Sequence, residues 1–390
     1  MNKPRAILID IIPPQMRKPQ AERRLFELES LVRTFGGIVV VKVVQKRSTP
    51  DYKTYIGRGK LEEIIETAKE KKANLLIINN LLKPKQMFAI EEILRKHNLK
   101  NWDRIDLILK IFQKHATTAE AKLQIKLAAI NHMGPRIFDM GMELMKQVGG
   151  IGTRGGGETN TEKMKRHLKE QARQIKKKLQ KSSLSRSEHR KRRERLGMKT
   201  ASIVGYTNAG KSSLLNALTN KGAYVANELF ATLDTRVAKL YLPPSPGPNP
   251  QSPVPSPQNF LLSDTIGFIQ NLPPNLVSAF RSTLEETIEA DLLLHVIDVS
   301  DPYIQNHVVE VEEILNQLGV GQTPKIYVFN KIDTVSKQHL DNIWARFMDY
   351  LKQSSTPDSV SRTPDHEAVF VSCITGHGLN NLKQKIQSFL

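Results

Sequence analysis

The sequence has a single cysteine among its 390 residues. One cysteine excludes an intrachain disulfide, and such scarcity is typical of a reducing compartment, so we expect a cytoplasmic protein. The chain also lacks any apolar run of about eighteen residues, the length that a membrane-spanning helix needs. Its first apolar stretch, Ala6 to Pro13, is short and carries Asp10, which is not the pattern of a signal peptide. We therefore expect no stable membrane insertion.

Positive charge, in contrast, is abundant. The net charge is +19 and the isoelectric point is about 9.8. Much of the excess positive charge lies between Thr161 and Lys199, a segment with sixteen Lys or Arg residues and four Asp or Glu residues. Such a segment predicts binding to a polyanion, and nucleic acid is the first candidate. Transient contact with an anionic membrane surface is the alternative.

The first of three regions, residues 1–103, alternates strand and helix patterns, which predicts a small α/β domain. The predicted strands are Ala6–Ile12, Gly37–Val44 and Asn74–Asn80, and the predicted helices are Ala21–Thr34, Lys60–Lys71 and Pro84–His97.

The second region, residues 104–198, contains two long helical patterns, Ala116–Met145 and Lys163–Leu196. A glycine cluster from Gly149 to Glu158 separates them, so we predict a basic antiparallel helical hairpin with a glycine-rich tip. Glycine lets a nucleic-acid backbone approach closely because it has no side chain. The candidate RNA contacts at this tip are Gly152, Arg154, Gly155 and Gly157.

The third region, residues 199–390, has short apolar runs separated by helical stretches, the pattern of a doubly wound, mostly parallel sheet. The runs are Ala201–Gly205, Phe260–Ser263, Leu292–Val299, Lys325–Phe329 and Ala368–Val371. Pro243–Gln258 contains eight prolines, which excludes it from a central strand and predicts an exposed loop joining two strands.

The strongest motif follows the first of these runs and matches G-x-x-x-x-G-K-[ST] between a strand and a helix. Its residues are Gly205, Tyr206, Thr207, Asn208, Ala209, Gly210, Lys211 and Ser212. Backbone N–H groups of such a loop bind phosphates, its lysine neutralises the β and γ phosphates, and its serine offers a hydroxyl to Mg²⁺. This motif predicts a nucleotide triphosphatase.

Two further motifs predict guanine as the base. The N-K-x-D motif comprises Asn330, Lys331, Ile332 and Asp333. A carboxylate at Asp333 accepts hydrogen bonds from the guanine ring N–H and amino group, a donor pair that adenine lacks. A second, weaker motif follows a later strand and offers backbone N–H groups to the guanine oxygen: Ser372, Cys373 and Ile374. We interpret Cys373 as a packing residue rather than a reactive thiol.

The switch segments lie between these motifs. Candidate switch I comprises Phe230, Ala231, Thr232, Leu233 and Asp234, with Thr232 as the second protein ligand to Mg²⁺ beside Ser212. Candidate switch II comprises Asp264, Thr265, Ile266, Gly267 and Phe268. In it Asp264 would reach Mg²⁺ through water and Gly267 would contact the γ phosphate. Together the motifs predict a GTP hydrolase.

The way in which water is activated stays open. Phe268 occupies the position where many switch GTPases carry glutamine, and an apolar ring cannot orient water. A partner that completes the site is one hypothesis. A potassium ion beside the phosphates, bound near Asn208, is another, and an asparagine that only stabilises the loop is the simpler alternative.

The sequence resembles the HflX family of ribosome-associated GTPases over most of its length. The nucleotide motifs carry the resemblance, followed by Leu272-Pro273; upstream it rests on Tyr55–Lys60, Asp103–Asp106, Lys122–Gln124 and the glycine cluster. The resemblance implies a protein that binds GTP and, in its N-terminal region, ATP. It further implies docking on the large ribosomal subunit and its rRNA, and dissociation of stalled or idle ribosomes under stress. The alternative is an rRNA-binding assembly module in which hydrolysis is secondary. We expect a monomer.

Overall fold

The computed structural model describes residues 3–148, 160–219, 236–242, 259–265, 267–269, 284–354 and 368–389. The chain forms two compact units, Met1–Ser182 and Ser183–Leu390. Switch I, the glycine cluster with its four candidate RNA contacts, and the proline-rich segment 243–258 lie outside the described residues. What the sequence predicts for them stays a prediction.

A four-stranded parallel sheet forms the centre of the first unit. Its strands are β1 (Arg5–Ile12), β2 (Ile38–Lys46), β3 (Leu75–Ile78) and β4 (Lys100–Asp103). They lie in the order β2-β1-β3-β4. The residues of β1 after Arg5 and all those of β3 are buried, as is typical of central parallel strands with helices on both faces.

Four helices connect and follow these strands. They are α1 (Lys18–Phe35), α2 (Arg58–Glu70), α3 (Pro84–Arg95) and α4 (Arg104–His115). Helix α4 follows β4 without a loop because the Asp103 carboxylate accepts the Asp106 N–H at 2.9 Å and caps the helix. It buries eight of its twelve residues and packs against α1. The sequence pattern predicts that residues 104–115 belong to the hairpin region, whereas in the structure they pack on the N-terminal α/β layer.

Two long helices come next, α5 (Ala119–Val148) and α6 (Asn160–Arg195). Helix α5 packs against α3 and α4. In α6 the half-buried or buried residues Leu168, Ala172, Ile175 and Leu179 repeat at helical spacing, which gives one apolar stripe. The predicted antiparallel pairing of these helices stays a prediction. No helix within the described ranges is both long and apolar enough to cross a membrane.

The second unit is built on a six-stranded sheet in the order β10-β9-β8-β5-β7-β6. Its strands are β5 (Lys199–Gly205), β6 (Arg236–Tyr241), β7 (Asn259–Asp264), β8 (Leu292–Asp298), β9 (Lys325–Asn330) and β10 (Ala368–Phe370). All neighbours are parallel except the edge pair β6–β7, in which Tyr241 faces Asn259. The predicted mostly parallel α/β sheet is confirmed.

Helices cover both faces of this sheet, as in other doubly wound folds. They are α7 (Lys211–Thr219), α8 (Glu285–Ile288), α9 (Ile304–Gln317), α10 (Lys337–Ser354) and α11 (Leu379–Ser388). Leu214 of α7 and Leu382 of α11 share one apolar core, while Leu315 of α9 and Phe347 of α10 lie in two others. The carboxyl ends of the parallel strands therefore meet at one edge, where ligands of such sheets bind.

Candidate active site

The loop from Gly205 to Ser212 connects β5 to α7. Its backbone conformation requires glycine at two positions, Gly205 and Gly210. Gly205 has φ 147°, and a Cβ there would lie 2.3 Å from the Val296 carbonyl oxygen. Gly210 has φ 95°, and a Cβ there would lie 2.2 Å from Asn330 Nδ2. Backbone N–H groups of a loop that ends at a helix N-terminus form an anion-binding site.

Lys211 is buried at the start of α7, and its Nζ donates a hydrogen bond to the Tyr206 carbonyl oxygen at 2.7 Å. Burial lowers the pKa of this ammonium to about 8, partly offset by the negative charge of Asp264. A bound phosphate would favour the charged form of the lysine because an opposite charge nearby raises the pKa of an ammonium group. The lysine is thus placed to neutralise phosphate charge.

Asp264, the last residue of β7, faces the same loop and is fully buried. Its Oδ2 accepts a hydrogen bond from Ser212 Oγ at 2.7 Å, whereas its Oδ1 has no hydrogen-bond partner among the described residues. Burial raises the pKa of this carboxyl. A buried oxygen without a partner is costly, and Mg²⁺ prefers carboxylate and hydroxyl oxygens as ligands or as acceptors for its bound waters. The pair Ser212 and Asp264 therefore fits Mg²⁺.

The described part of switch II lies directly on the phosphate loop. Thr265 Oγ1 donates to the Ile203 carbonyl oxygen at 2.8 Å, and a Cβ on Gly267 would be 2.7 Å from Lys211 Nζ. The Thr207 N–H donates to the Phe268 carbonyl oxygen at 2.8 Å, and the Phe268 N–H donates to the Gly205 carbonyl oxygen at 3.1 Å. The Phe268 side chain is buried in the apolar core, where it cannot contact a catalytic water. Ile266 lies outside the described residues.

Asn330, at the end of β9, joins the phosphate loop to the guanine-binding candidates. Its Nδ2 donates to the Ala209 carbonyl oxygen at 3.0 Å, and its Oδ1 accepts the Cys373 N–H at 3.3 Å. Burial and the charge of Asp333 raise the pKa of the Cys373 thiol to about 12, which fits a packing residue. The two motifs predicted to bind guanine thus adjoin each other and the phosphate loop.

The remaining guanine-binding candidates differ in their exposure and contacts. Lys331 has φ 68°, and its Nζ pairs with Asp298 Oδ2 at 2.6 Å. Asp333 and Ile374 are exposed, whereas Ser372 is buried. Asp298 was not among the sequence-predicted residues, although a polar residue ending a buried strand at the carboxyl edge is a signal that could have found it.

A phosphate loop, a buried D-x-x-G aspartate and an N-K-x-D asparagine on one edge of a doubly wound sheet define a P-loop GTPase. Three family models match the chain: GTP-binding GTPase N-terminal over residues 22–113, GTP-binding GTPase Middle Region over 115–193, and 50S ribosome-binding GTPase over 200–331. Together with the relatives described next, they show that the chain belongs to the HflX family of GTPases. It binds GTP and GDP and hydrolyses GTP.

Two relatives and one solved structure give the scale of the similarity. GTPase HflX of Caldanaerobacter subterraneus is 43% identical over 332 residues, which cover 85% of this chain and 73% of the relative. GTPase HflX of Flavobacterium psychrophilum is 35% identical over 392 residues, which cover 99% of this chain and 90% of the relative. The crystal structure of SsGBP in complex with GDP matches with a TM-score of 0.51 at 25% identity, covering 99% of this chain and 98% of that one.

Proposed function

We propose that this GTPase binds the large ribosomal subunit and dissociates stalled or idle ribosomes, and that GTP hydrolysis times its release. The observation that carries the proposal is the charge of helix α6. All nine lysine and arginine side chains between Lys163 and Lys181 are exposed. Each such side chain that neutralises an rRNA phosphate releases counterions and so favours binding. The match of residues 200–331 to a 50S ribosome-binding GTPase model supports the same partner.

Within the nucleotide site we assign roles to the motif residues. The backbone from Gly205 to Lys211 binds the phosphates, and Asp333 with the loop from Ser372 to Ile374 recognises guanine. Ser212 and Thr232 would hold Mg²⁺, and Asp264 would accept hydrogen bonds from its waters. When bound, the metal neutralises charge on the β and γ phosphates.

The switch follows from these contacts. With GTP bound, Thr232 and Gly267 are held against the γ phosphate, and hydrolysis releases them. Because the Phe268 ring is buried in the core, another group must orient the attacking water. We propose that the ribosome completes the site. A potassium ion near Asn208, which has φ 65° and is exposed, is the second hypothesis, and equal hydrolysis rates in sodium and potassium buffers would eliminate it.

Cosedimentation with separated ribosomal subunits tests the proposal. The protein is mixed with each subunit in the presence of GDP, of a non-hydrolysable GTP analogue, or of no nucleotide. We expect preferential binding to the large subunit with the GTP analogue. Equal binding to both subunits, or binding indifferent to the nucleotide, would contradict the proposal and leave the nucleotide site intact.

A matched pair of variants tests the contribution of α6. In the first, Lys176, Lys177 and Lys178 are changed to Gln, and in the second Lys69, Lys71 and Lys72 of the first unit are changed in the same way. The charge change is equal, and all six side chains are exposed. We expect the α6 variant alone to bind more weakly, with the slope of log affinity against log salt reduced by about 2 to 3.

The alternative is an assembly module that occupies an rRNA site while hydrolysis is incidental. Lys211→Ala separates the two accounts because it should abolish nucleotide binding and leave α6 unchanged. Ribosome dissociation and release at the wild-type rate by this variant would favour the assembly module. We further propose a cytoplasmic protein, and ATP binding to the N-terminal region remains a prediction of the family resemblance.

A further inference from the structure

The second residue of the phosphate loop stacks on a histidine that belongs to none of the nucleotide motifs. The rings of Tyr206 and His307 have centroids 3.6 Å apart and planes that differ by 12°. Tyr206 is 9% exposed, so its ring is held within the protein. His307 lies in the first turn of α9. A stacked pair of this kind fixes the position of both rings.

His307 is itself fixed by a carboxylate. Its Nδ1 lies 2.7 Å from Asp301 Oδ2, in the turn between β8 and α9. Asp301 Oδ1 accepts the Tyr303 N–H at 2.8 Å, so the carboxylate is tied to the backbone that starts the helix. The imidazole is therefore oriented by a carboxylate outside the phosphate loop as well as by the stack with Tyr206.

Tyr206 in turn determines where two parts of the active site lie. Its carbonyl oxygen accepts the hydrogen bond from Lys211 Nζ at 2.7 Å. Its neighbours Gly205 and Thr207 make both backbone hydrogen bonds to Phe268 of switch II. A shift of Tyr206 would thus displace the phosphate-binding lysine and the start of switch II together.

We propose that His307 is a positioning residue for nucleotide binding, which acts by holding Tyr206 and through it the phosphate loop. The loop binds the phosphates that GDP and GTP have in common. Loss of the stack therefore weakens both nucleotides alike, and it changes KM for GTP more than kcat, as expected when ground state and transition state lose the same contact.

Two substitutions at one position test the proposal. In His307→Ala the stack and the Asp301 contact are both lost, whereas His307→Phe keeps an aromatic ring over Tyr206. For His307→Ala we expect the Kd for GDP and the KM for GTP to rise about 3- to 10-fold, with kcat within about 2-fold of wild type. His307→Phe should restore both constants to within about 2-fold. Wild-type affinities in His307→Ala, or no rescue by His307→Phe, would overturn the proposal.

Asn306→Ala is the matched control because Asn306 lies in the same helical turn and is exposed. It should bind both nucleotides as the wild type does. If His307→Ala does not fold, a double-mutant cycle with Tyr206→Leu and His307→Leu gives the same answer. His307→Leu should weaken GDP binding in the wild-type background and have no further effect when Tyr206 is already Leu. Equal losses in both backgrounds would refute the coupling.

Discussion

The two sheets of this protein place polar side chains at their carboxyl ends in opposite ways. In the first unit Asp10, near the end of β1, is fully buried and pairs with Arg24 through two hydrogen bonds of 2.6 and 3.0 Å. In the second unit Asp264, at the end of β7, is equally buried, but its Oδ1 has no hydrogen-bond partner among the described residues. The two carboxylates are equally buried, but both oxygens of Asp10 accept a hydrogen bond whereas, within the described ranges, only one oxygen of Asp264 does.

The polar neighbours of the two aspartates differ less sharply than the aspartates themselves. Arg104 of the first unit donates hydrogen bonds to Asn79 Oδ1 and Glu27 Oε1, both at 2.9 Å. The Asn80 side chain accepts the Ile11 N–H and donates to the Ile11 carbonyl oxygen, both at 2.9 Å. At the second edge Thr207 Oγ1 is buried without a hydrogen-bond partner in the described part of the chain. Buried polar atoms are normally paired, and on β4 of the first unit Asn101 Oδ1 is also buried without a partner in the described part of the chain, so the contrast rests on the two aspartates.

Asp10→Asn should have the largest effect and break the first half of the comparison. It leaves the partly buried Arg24 guanidinium without a counter-charge, so we expect the free energy of unfolding of the first unit to fall by about 3 to 5 kcal/mol. GTP hydrolysis should not change. The chain has two tryptophans, Trp102 in the first unit and Trp344 in the second, so single-tryptophan variants report on each unit separately.

The measurement is urea unfolding followed by Trp102 fluorescence in a Trp344→Phe background. A double variant, Asp10→Asn with Arg24→Gln, is the control, because removing both charges should recover part of the lost stability. If Asp10→Asn lowers hydrolysis while stability is retained, the first edge is a ligand site after all.

Asp264→Asn should have the reverse effect. The substitution keeps the shape of the side chain but removes a buried charge that has an unpaired oxygen, so we expect nucleotide-free stability to stay within about 1 kcal/mol of wild type. GTP hydrolysis should fall about 10²- to 10³-fold because the amide would hold the waters of Mg²⁺ less well than the carboxylate, and Mg²⁺ is the group that would neutralise charge on the phosphates. The measurements are steady-state GTP hydrolysis and urea unfolding followed by Trp344 fluorescence. A loss of stability as large as that of Asp10→Asn would show that the two aspartates do not differ in this way.

Glu312→Gln sharpens the comparison by testing a charged cluster of the second unit that contains none of the nucleotide-motif residues. Glu312 of α9 contacts His295 Nδ1 at 3.1 Å and Lys325 of β9. Burial alone would raise the pKa of Glu312, but the hydrogen bonds and charges of His295 and Lys325 lower it to about 2. Its stabilisation is therefore present above the ordinary carboxyl pKa of 4.5 and is lost as pH falls toward about 2.

We expect Glu312→Gln to cost about 2 to 3 kcal/mol at neutral pH and to flatten the loss of stability between pH 5 and 3. Urea unfolding at several pH values, followed by Trp344 in a Trp102→Phe background, measures both. If the variant loses stability at low pH as steeply as the wild type, the low pKa of Glu312 does not contribute to stability.

Much of the fold could be predicted because strand and helix patterns alternate in both units. For local reasons β4 was missed, and β6 was implied only as the strand before the proline-rich loop, without its residues. β4 (Lys100–Asp103) has only Trp102 as a strand-favouring residue and is too short to show a period. β6 (Arg236–Tyr241) alternates buried Ala238 and Leu240 with more exposed residues, but it is a single antiparallel strand at the edge of the sheet.

The nucleotide motifs could be predicted because their chemistry depends on neighbouring residues in the sequence. The partners of those motifs could not. Asp298 pairs with Lys331 from a different strand, and His307 reaches Tyr206 from a helix about a hundred residues away. These contacts arise only when the sheet brings its carboxyl ends together. The burial of Phe268, likewise, depends on apolar residues from other elements.

The antiparallel edge pair β6–β7 has a practical consequence. Tyr241 faces Asn259 across this pair, so the chain leaves the sheet and returns to it at adjacent points, about 5 Å apart. Each doubling of a connection between fixed ends costs only about 0.6 kcal/mol. An epitope tag or a fluorescent domain could therefore be inserted between these two residues without disturbing the strand register, and it would allow the proposed binding to ribosomes to be followed.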